Sequence, residues 1–287
     1  MRIALTANTA SGGGLDPEPL IEAMRRHGAE VELFGCEPDE LERLEAASPP
    51  DRIAVAGGDG TIGAAARTAG TVGVPLAVIP MGTANDYARS NDLPTDPVEA
   101  AELAATGEAT RSLELGRLAD GRAFVNVASA GLAAEAARYA APFKSLLGPL
   151  AYGVGALRAA ATETPLDCTI RIDGASAFHG GAWQVIVSVS GAFGGGSDVG
   201  TADPGDGVLE VTVIPAGSRL ALARRAWGLR RGTITEQKAV ENHRGCLVEI
   251  ALPPGTELNV DGEIRDGGLE RVSVESGAYA LVVPDRT

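Results

Sequence analysis

In the first third of the chain, short apolar runs alternate with stretches of helical spacing. Arg2–Ala7 (RIALTA) is a strand-length run that ends in the glycine-rich Ser11–Gly14. Leu20, Ile21 and Met24 recur at helical spacing within Pro17–His27, and Gly28 supplies a stop. Val31–Phe34 predicts a second strand, Pro38–Ala47 a second helix, and Arg52–Ala56 (RIAVA) a third strand that breaks at Gly57-Gly58. Thr61–Ala69 reads as a helix, Pro75–Ile79 as a fourth strand, and Ala84–Ser90 opens another helix. Such alternation predicts a parallel sheet covered on both faces. Ligands of these sheets lie beyond the carboxyl ends of the strands, and all three glycine-rich turns follow a strand.

After about Leu115 the texture changes. Thr169–Ile172, Trp183–Ser190, Val208–Ile214, Cys246–Ala251, Glu257–Val260 and Arg271–Val274 read as strands, interrupted by helical pattern at Ala133–Ala161 and Ser218–Arg231. A second, mostly antiparallel β domain is expected. The boundaries drawn from this shift are 1–117 for the α/β domain and 118–276 for the β-rich one. The final run, Tyr279–Val283, is free to pair in either, so 277–287 is a candidate to return to the first domain.

Composition narrows the function classes. With 24 basic and 38 acidic residues the formal charge is −14, which argues against a nucleic-acid partner and offers no polybasic anchor for anionic lipid. Cys36, Cys168 and Cys246 are odd in number and widely spaced, so neither a disulfide framework nor a zinc site is expected. The start of the chain has too short an apolar run for a signal peptide, and no stretch approaches a membrane span of about 20 residues. A soluble cytoplasmic protein is the expectation. Nothing fixes an oligomeric state, and a homodimer stays open.

The chemistry concentrates in two turns. Gly57-Gly58-Asp59-Gly60-Thr61 lies between a strand and a helix, where glycines let the backbone approach phosphate oxygens and the helix N-terminus faces the anion. Asp59 would repel a phosphate. It suits a magnesium ligand, a group behind such a ligand, or an acid–base role, with a tight Asx-type turn as the plainer alternative. Pro80–Arg89 (PMGTANDYAR) repeats the logic after the next strand: a glycine turn, the Thr83 hydroxyl, then Asn85 and Asp86 in the first helical turn, where N-capping is the plainer role. The only lysines are Lys144 and Lys238, so a GxxxxGK[ST] P-loop is excluded. Phosphate charge must then be met by backbone N–H groups, arginine and metal.

These motifs resemble those of the soluble diacylglycerol-kinase catalytic-domain family, which includes bacterial lipid kinases and sphingosine and ceramide kinases. The family's GGDGT(L/I)N and PxGTxNDxAR appear here as Gly57–Ile62, with Gly63 in place of the asparagine, and Pro80–Arg89. Asn126–Ala134 (NVASAGLAA) is similar to its segment between domains, and Lys144–Tyr152 to its KxxxGxxxY run. Gly194–Gly196 with Asp206–Val211, and Val260–Glu263 (VDGE), complete the order. The resemblance implies a Rossmann-like, NAD-kinase-like α/β nucleotide domain plus a C-terminal antiparallel β-sandwich, with the active site in the cleft between them. It implies ATP and Mg²⁺ as cofactors and a lipid with a free hydroxyl as acceptor, reached through transient contact at the inner face of the membrane.

Carried over by position, the nucleotide would meet Asn8, Ala10, Ser11, Gly12, Gly13 and Gly14, then Gly57, Gly58, Asp59, Gly60, Thr61, Ile62 and Gly63, then Thr83, Asn85 and Asp86, with Cys36 alongside. Glu263 matches the family's proposed general base, with Asp261 beside it as the other candidate and Asp59 as a further catalytic carboxylate. A structural Mg²⁺ would implicate Asp206 and the carbonyls of Asp203 and Val208. Departures exist: Thr9 stands for a proline, Ala84 for a glycine, and Gly63 for an asparagine whose amide would lie near phosphate or metal. Two rival readings are an NAD kinase, whose family shares GGDGT but lacks PxGTxNDxAR, and a non-enzymatic nucleotide or lipid sensor. For the Asp261–Glu263 stretch, a simple Asp-Gly hairpin is the plainer alternative.

Overall fold

The computed structural model describes residues 1–7, 16–82, 85–140, 162–194, 197–199, 202–219, 222, 231, 233–237 and 239–285. The chain divides into two compact units, Met1–Leu115 with Glu275–Thr287, and Gly116–Val274.

The first unit runs β1 (Arg2–Ala7), α1 (Glu18–Arg26), β2 (Glu30–Phe34), α2 (Pro38–Ala46), β3 (Arg52–Gly57), α3 (Asp59–Val72), β4 (Leu76–Pro80), α4 (Asp86–Ser90), α5 (Pro97–Thr106) and β5 (Thr110–Leu118). β1 pairs in parallel with β2 and β3, and β3 with β4. β1, β3 and β4 are buried almost throughout, the signature of a parallel sheet with two covered faces. Leu20, Ile21 and Met24 of α1 and Ala100, Ala101 and Ala104 of α5 pack on Ile3, Leu5, Ala54, Ala56 and Ile79. α2 packs on α3, and α3 on β3 and β4. The helix ends follow local chemistry. Asp96 caps α5 by accepting the N–H groups of Val98 and Glu99, and Gly73 closes α3 at φ 79°, the left-handed position that favours glycine.

The second unit continues with β6 (Ala123–Phe124), β7 (Val127–Gly131), α6 (Leu132–Ala140), β8 (Leu166–Ile172), β9 (Ala175–Ser188), β10 (Ala192–Gly194), β11 (Ser197–Asp198), β12 (Leu209–Pro215), a short 3-10 helix (Ile234–Glu236), β13 (Glu241–Gly245), β14 (Leu247–Ala251), β15 (Glu257–Val260), β16 (Glu263–Asp266) and β17 (Arg271–Val282). Its antiparallel order is β16-β15-β7-β9-β8-β14-β17, with β12 pairing β9 and β13. Alternate residues of these strands, including Ala128, Ala130, Val185, Val187, Val211, Ile250 and Leu258, form one apolar core. Val127, Ile186 and Ile214 fall on the opposite face, with Trp183, Leu222 and Ile234.

Four expectations need correction. α3 begins at Asp59 rather than Thr61, so Asp59 and Gly60 belong to its first turn. The segment from Asn126 is not a mere connector: Val127–Gly131 is an inner strand of the second unit, paired with β9 and β15. β9 is a 14-residue strand that starts at Ala175. Arg271–Val274 and Tyr279–Val283 are stretches of one strand, β17. The polar Glu275-Ser276-Gly277 sequence between them hid the continuity; Gly277, at φ 61°, lets the strand pass through an irregularity. The last residues of β17 do join the first unit, with Leu281 opposite Leu76 of β4 in parallel register. Most of the expected Ala133–Ala161 and Ser218–Arg231 helices lies outside the described residues.

Candidate active site

Each unit carries its own group of candidate residues. In the first, β3 and β4 end side by side, Gly57 opposite Pro80, so the two glycine turns meet. The Met81 N–H donates to the Gly57 carbonyl at 2.9 Å. A Cβ placed on Gly82 would lie 3.0 Å from the Gly58 Cα and 2.9 Å from the Asn85 Oδ1. The turns therefore touch backbone to backbone, an approach that only glycine at position 82 allows. A Cβ on Gly57 would collide with Thr61. Thr61 is turned inward, its hydroxyl donating to the Gly58 carbonyl at 2.8 Å.

Gly58 is the N-cap of the 14-residue α3, and no side chain caps that end. An uncapped N-terminus at the carboxyl edge of a parallel sheet suits a bound phosphate. Asn85 adopts φ 49° and holds the second turn closed, its Oδ1 accepting the Gly82 N–H at 2.8 Å. Left-handed backbone is tolerated best by asparagine after glycine.

Asp59 links the two motifs. Its Oδ1 accepts the Tyr87 N–H at 3.0 Å and its Oδ2 the Asp86 N–H at 3.3 Å. A side chain from the first turn thus caps α4, the helix that starts in the second. Burial, then the nearby Asp86 carboxylate, raise the Asp59 carboxyl above its ordinary value; the two N–H bonds and Arg89 pull the other way. The Tyr87 hydroxyl meets that of Tyr279 at 2.6 Å in the interior, tying α4 to β17. The other seven arginines of Met1–Leu115 are held by carboxylates, carbonyls or Asn91. Arg89 is exposed at the end of α4. It stood in the sequence motif but was not singled out, because spacing alone does not reveal which arginines are committed elsewhere.

Gly57, Ile62 and Gly63 are buried inside the unit, which leaves Gly58–Thr61 as the partly exposed part of that stretch. Cys36, just past β2, is half-buried, and its thiol is pushed up to about 11 by burial, then by Glu37, against a hydrogen bond with Thr6. It is a neutral, inert thiol at ordinary pH. Asn8, Ala10, Ser11, Gly12, Gly13, Gly14 and Thr83 lie outside the described residues, as does Lys144–Tyr152.

In the second unit, Asp261-Gly262 is the two-residue turn between β15 and β16, both at positive φ (46° and 90°). That is the primed hairpin geometry that Asp-Gly favours. The Asp261 carboxylate is buried and accepts three backbone N–H groups: Val125 on Oδ2 at 2.9 Å, and Asn126 and Val127 on Oδ1 at 3.0 and 2.9 Å. Glu263 begins β16, half-exposed and paired with Arg265. The third cluster lies before β12. There Asp206 accepts the Val208 N–H at 3.1 Å and is ion-paired with Arg244, which also reaches Glu210 at 2.8 Å. The Asp203 carbonyl accepts the Asp206 N–H at 3.2 Å.

The fit to magnesium differs between these places. Among the described residues no group of three or more His, Cys, Asp or Glu is arranged to hold a metal ion. At Asp206 a guanidinium already supplies the positive charge, so the donor set does not fit a cation as it stands. Asp59 and Asp86 repel one another; a divalent cation carried with phosphates would relieve that repulsion, and there the donor set fits.

Residues 2–118 match the family model described as the diacylglycerol kinase catalytic domain, and residues 126–283 the YegS C-terminal NAD kinase beta sandwich-like domain. The chain belongs to the diacylglycerol kinase family of lipid kinases. A diacylglycerol kinase from Mycobacterium tuberculosis is 27% identical over 296 residues, covering 99% of this chain and 95% of the relative. A probable lipid kinase YegS-like protein from Stenotrophomonas maltophilia is 32% identical over 302 residues, covering 99% and 96%. Among solved structures, a putative diacylglycerol kinase from Bacillus anthracis superposes with TM-score 0.77 at 20% identity, covering 99% of this chain and 97% of that one. An NAD kinase from Archaeoglobus fulgidus in complex with ATP superposes at 0.54 with 16% identity, covering 98% and 92%. The latter two establish likeness of fold. The family pattern joins an α/β domain to an antiparallel β domain, as the chain does.

Proposed function

We propose that this kinase transfers the γ-phosphate of ATP to the free hydroxyl of diacylglycerol or a closely related lipid. The observation that carries the donor half is the glycine cradle, where the Gly58 and Gly82 backbones meet beside the uncapped N-terminus of α3. Backbone N–H groups there would hold the phosphates, with Arg89 as the side-chain cation and Asp59 and Asp86 as the carboxylates facing a magnesium ion. Bound magnesium–ATP supplies the transferable phosphoryl group with part of its charge neutralised. Asp59 keeps the two turns in register through α4, and most of the acceleration comes from positioning and charge compensation.

The acceptor half rests on Glu263, which takes the hydroxyl proton within about 2.6–3.2 Å or through one water. Arg265 is its ion-pair partner on the same strand. Among the described residues no helix is long and apolar enough to cross a membrane. The acceptor, being a membrane lipid, is reached by transient contact at a membrane surface. With a net charge of −14 that contact uses neutral or apolar surface rather than attraction to anionic lipid.

The test is labelled phosphoryl transfer from ATP to diacylglycerol, monoacylglycerol, sphingoid bases, phosphatidylglycerol and NAD, each presented separately. Transfer to diacylglycerol, or to one of the other lipids, with none to NAD is the expected outcome. Phosphorylation of NAD with no lipid product would replace the reading with an NAD kinase, and no transfer to any acceptor would remove it.

A further inference from the structure

Glu263 sits on an edge arm. β16 pairs with β15 at the end of the sheet order; Arg122 holds its far end through the Asp266 and Gly267 carbonyls, and Glu263 sits at the other end, next to the two-residue turn. An isolated hairpin is marginal in water, so a base on such an arm needs anchoring to stay within the half-ångström tolerance that catalysis demands. The anchor is visible one turn residue away. Besides the three N–H groups its carboxylate accepts, Asp261 donates its own N–H to the Val127 carbonyl at 2.9 Å. The Gly262 N–H donates to the Asn259 Oδ1 at 2.9 Å.

The contacts extend inward. The Asn126 Oδ1 accepts the Ser190 hydroxyl at 2.7 Å, and the Asn126 carbonyl accepts the Val189 N–H at 2.9 Å. Ser190 Oγ accepts the Ala192 N–H at 3.4 Å. Asp261, Asn126 and Ser190 are 8%, 2% and 8% exposed. Three stretches far apart in sequence are thus joined: residues 125–127 directly on the Asp261 carboxylate, and Ser190 through the Asn126 side chain.

On the reading that Glu263 is the base, the geometry points to Asp261 as its positioning residue, with Asn126 and Ser190 as the support behind it. Both Asp261 oxygens are engaged by backbone donors and the side chain is buried, which suits a holding role better than proton exchange with substrate. Asparagine cannot replace it, since an amide offers one oxygen and sets its NH₂ against a backbone N–H. Asp261 acts through Glu263 and does not touch the acceptor.

The experiment compares Asp261→Asn, Glu263→Gln, the double variant, Asn126→Ala and Ser190→Ala. Each is checked for folding by thermal melting and assayed with ATP and dioleoylglycerol in detergent micelles across pH. Asp261→Asn is expected to lower kcat by about 10- to 100-fold, with KM for ATP unchanged and the acid limb of the kcat–pH profile retained. Glu263→Gln loses that limb. The double variant is no worse than Glu263→Gln alone, since residues that act as a unit are not additive. Asn126→Ala and Ser190→Ala give smaller kcat losses of about 3- to 10-fold. If Asp261→Asn does not fold, these two decide, and wild-type kcat in both overturns the proposal. It is also overturned if Asp261→Asn abolishes the acid limb, which would make Asp261 the base, or if its kcat is that of the wild type while Glu263→Gln is inactive. A fully active Glu263→Gln instead removes the reading on which the proposal rests.

Discussion

The two halves of the proposed chemistry are built by opposite means. In the first unit the candidate phosphate site is backbone: glycines at 57, 58 and 82 and the N-terminus of α3. Side chains there mostly hold the loops, as Asp59 does for α4 and Asn85 for the second turn. In the second unit the candidate base is a single side chain on an edge hairpin, and the surrounding backbone donors converge on its neighbour Asp261. A backbone site needs a few contiguous residues at fixed spacing. A side-chain site needs an anchor brought in from elsewhere in the chain. The donor half should therefore respond both to Cβ atoms added at its glycines and to loss of the Asp59 carboxylate that ties its two turns together, and the acceptor half to loss of Glu263 or of the anchor beside it.

The sharpest break of this contrast is at Glu263. Glu263→Gln should lower kcat by about 100- to 10,000-fold, with nucleotide affinity intact by equilibrium titration; near-normal turnover would end the acceptor assignment. Next is Asp59→Asn, expected to reduce turnover by about 100-fold or more with the fold retained. It also carries a pH signature. The Asp59 carboxyl is raised above its ordinary value by burial, so the folded state binds the proton more tightly than the unfolded state. Its stability contribution is present at low pH and lost as pH rises through the raised pKa. Melting of both proteins across pH should accordingly move in favour of the wild type on acidification from neutral. The opposite slope would mean that the carboxylate is favoured by its two N–H bonds more than burial opposes it.

A finer probe uses the space around the glycines. A Cβ at Gly58 meets the Gly82 Cα at 3.7 Å, an ordinary contact, and φ there is −87°. Gly58→Ala should leave the melting temperature unchanged and raise KM for ATP by about 10-fold. An unchanged KM would show that phosphate does not approach this backbone. The smallest effect is expected at the tyrosine pair. Tyr279→Phe removes the 2.6 Å bond between the Tyr87 and Tyr279 hydroxyls, at a cost of about 0.5–1.5 kcal/mol in denaturant unfolding, with kcat little altered because neither ring belongs to the cradle.

How much of this was legible follows from the same contrast. The first unit's strands and helices up to α4 could be read because each buries an apolar run or stripe set by local periodicity, as Ile53–Ala56 and Leu20–Met24 do, whereas α5 and β5 were not foreseen. The start of α3 was misplaced by two residues, because Asp59-Gly60 carries turn chemistry that the helix absorbs into its first turn. β7 escaped notice: VASAG has too many small residues to announce an inner strand, and its burial comes from β9 and β15 on either side. β17 looked like two strands because Glu275-Ser276-Gly277 is polar. The candidate residues at Asp59, Asn85 and Glu263 could be named from motifs, but the bonds that hold them could not.

By itself, then, the sequence determined the two-part organisation, the pair of glycine turns at the sheet's carboxyl edge, the exclusion of a lysine P-loop, and the resemblance that the family models bear out. These are local or compositional properties, readable along the chain. Only the tertiary structure decided that Asp59 caps a helix 27 residues away, that Arg244 occupies the charge of Asp206, and that Asp261 gathers backbone N–H groups more than 130 residues distant. The physical reason is that a carboxylate's role is set by the donors and charges that the fold brings to it, and those come from parts of the chain that no short motif contains.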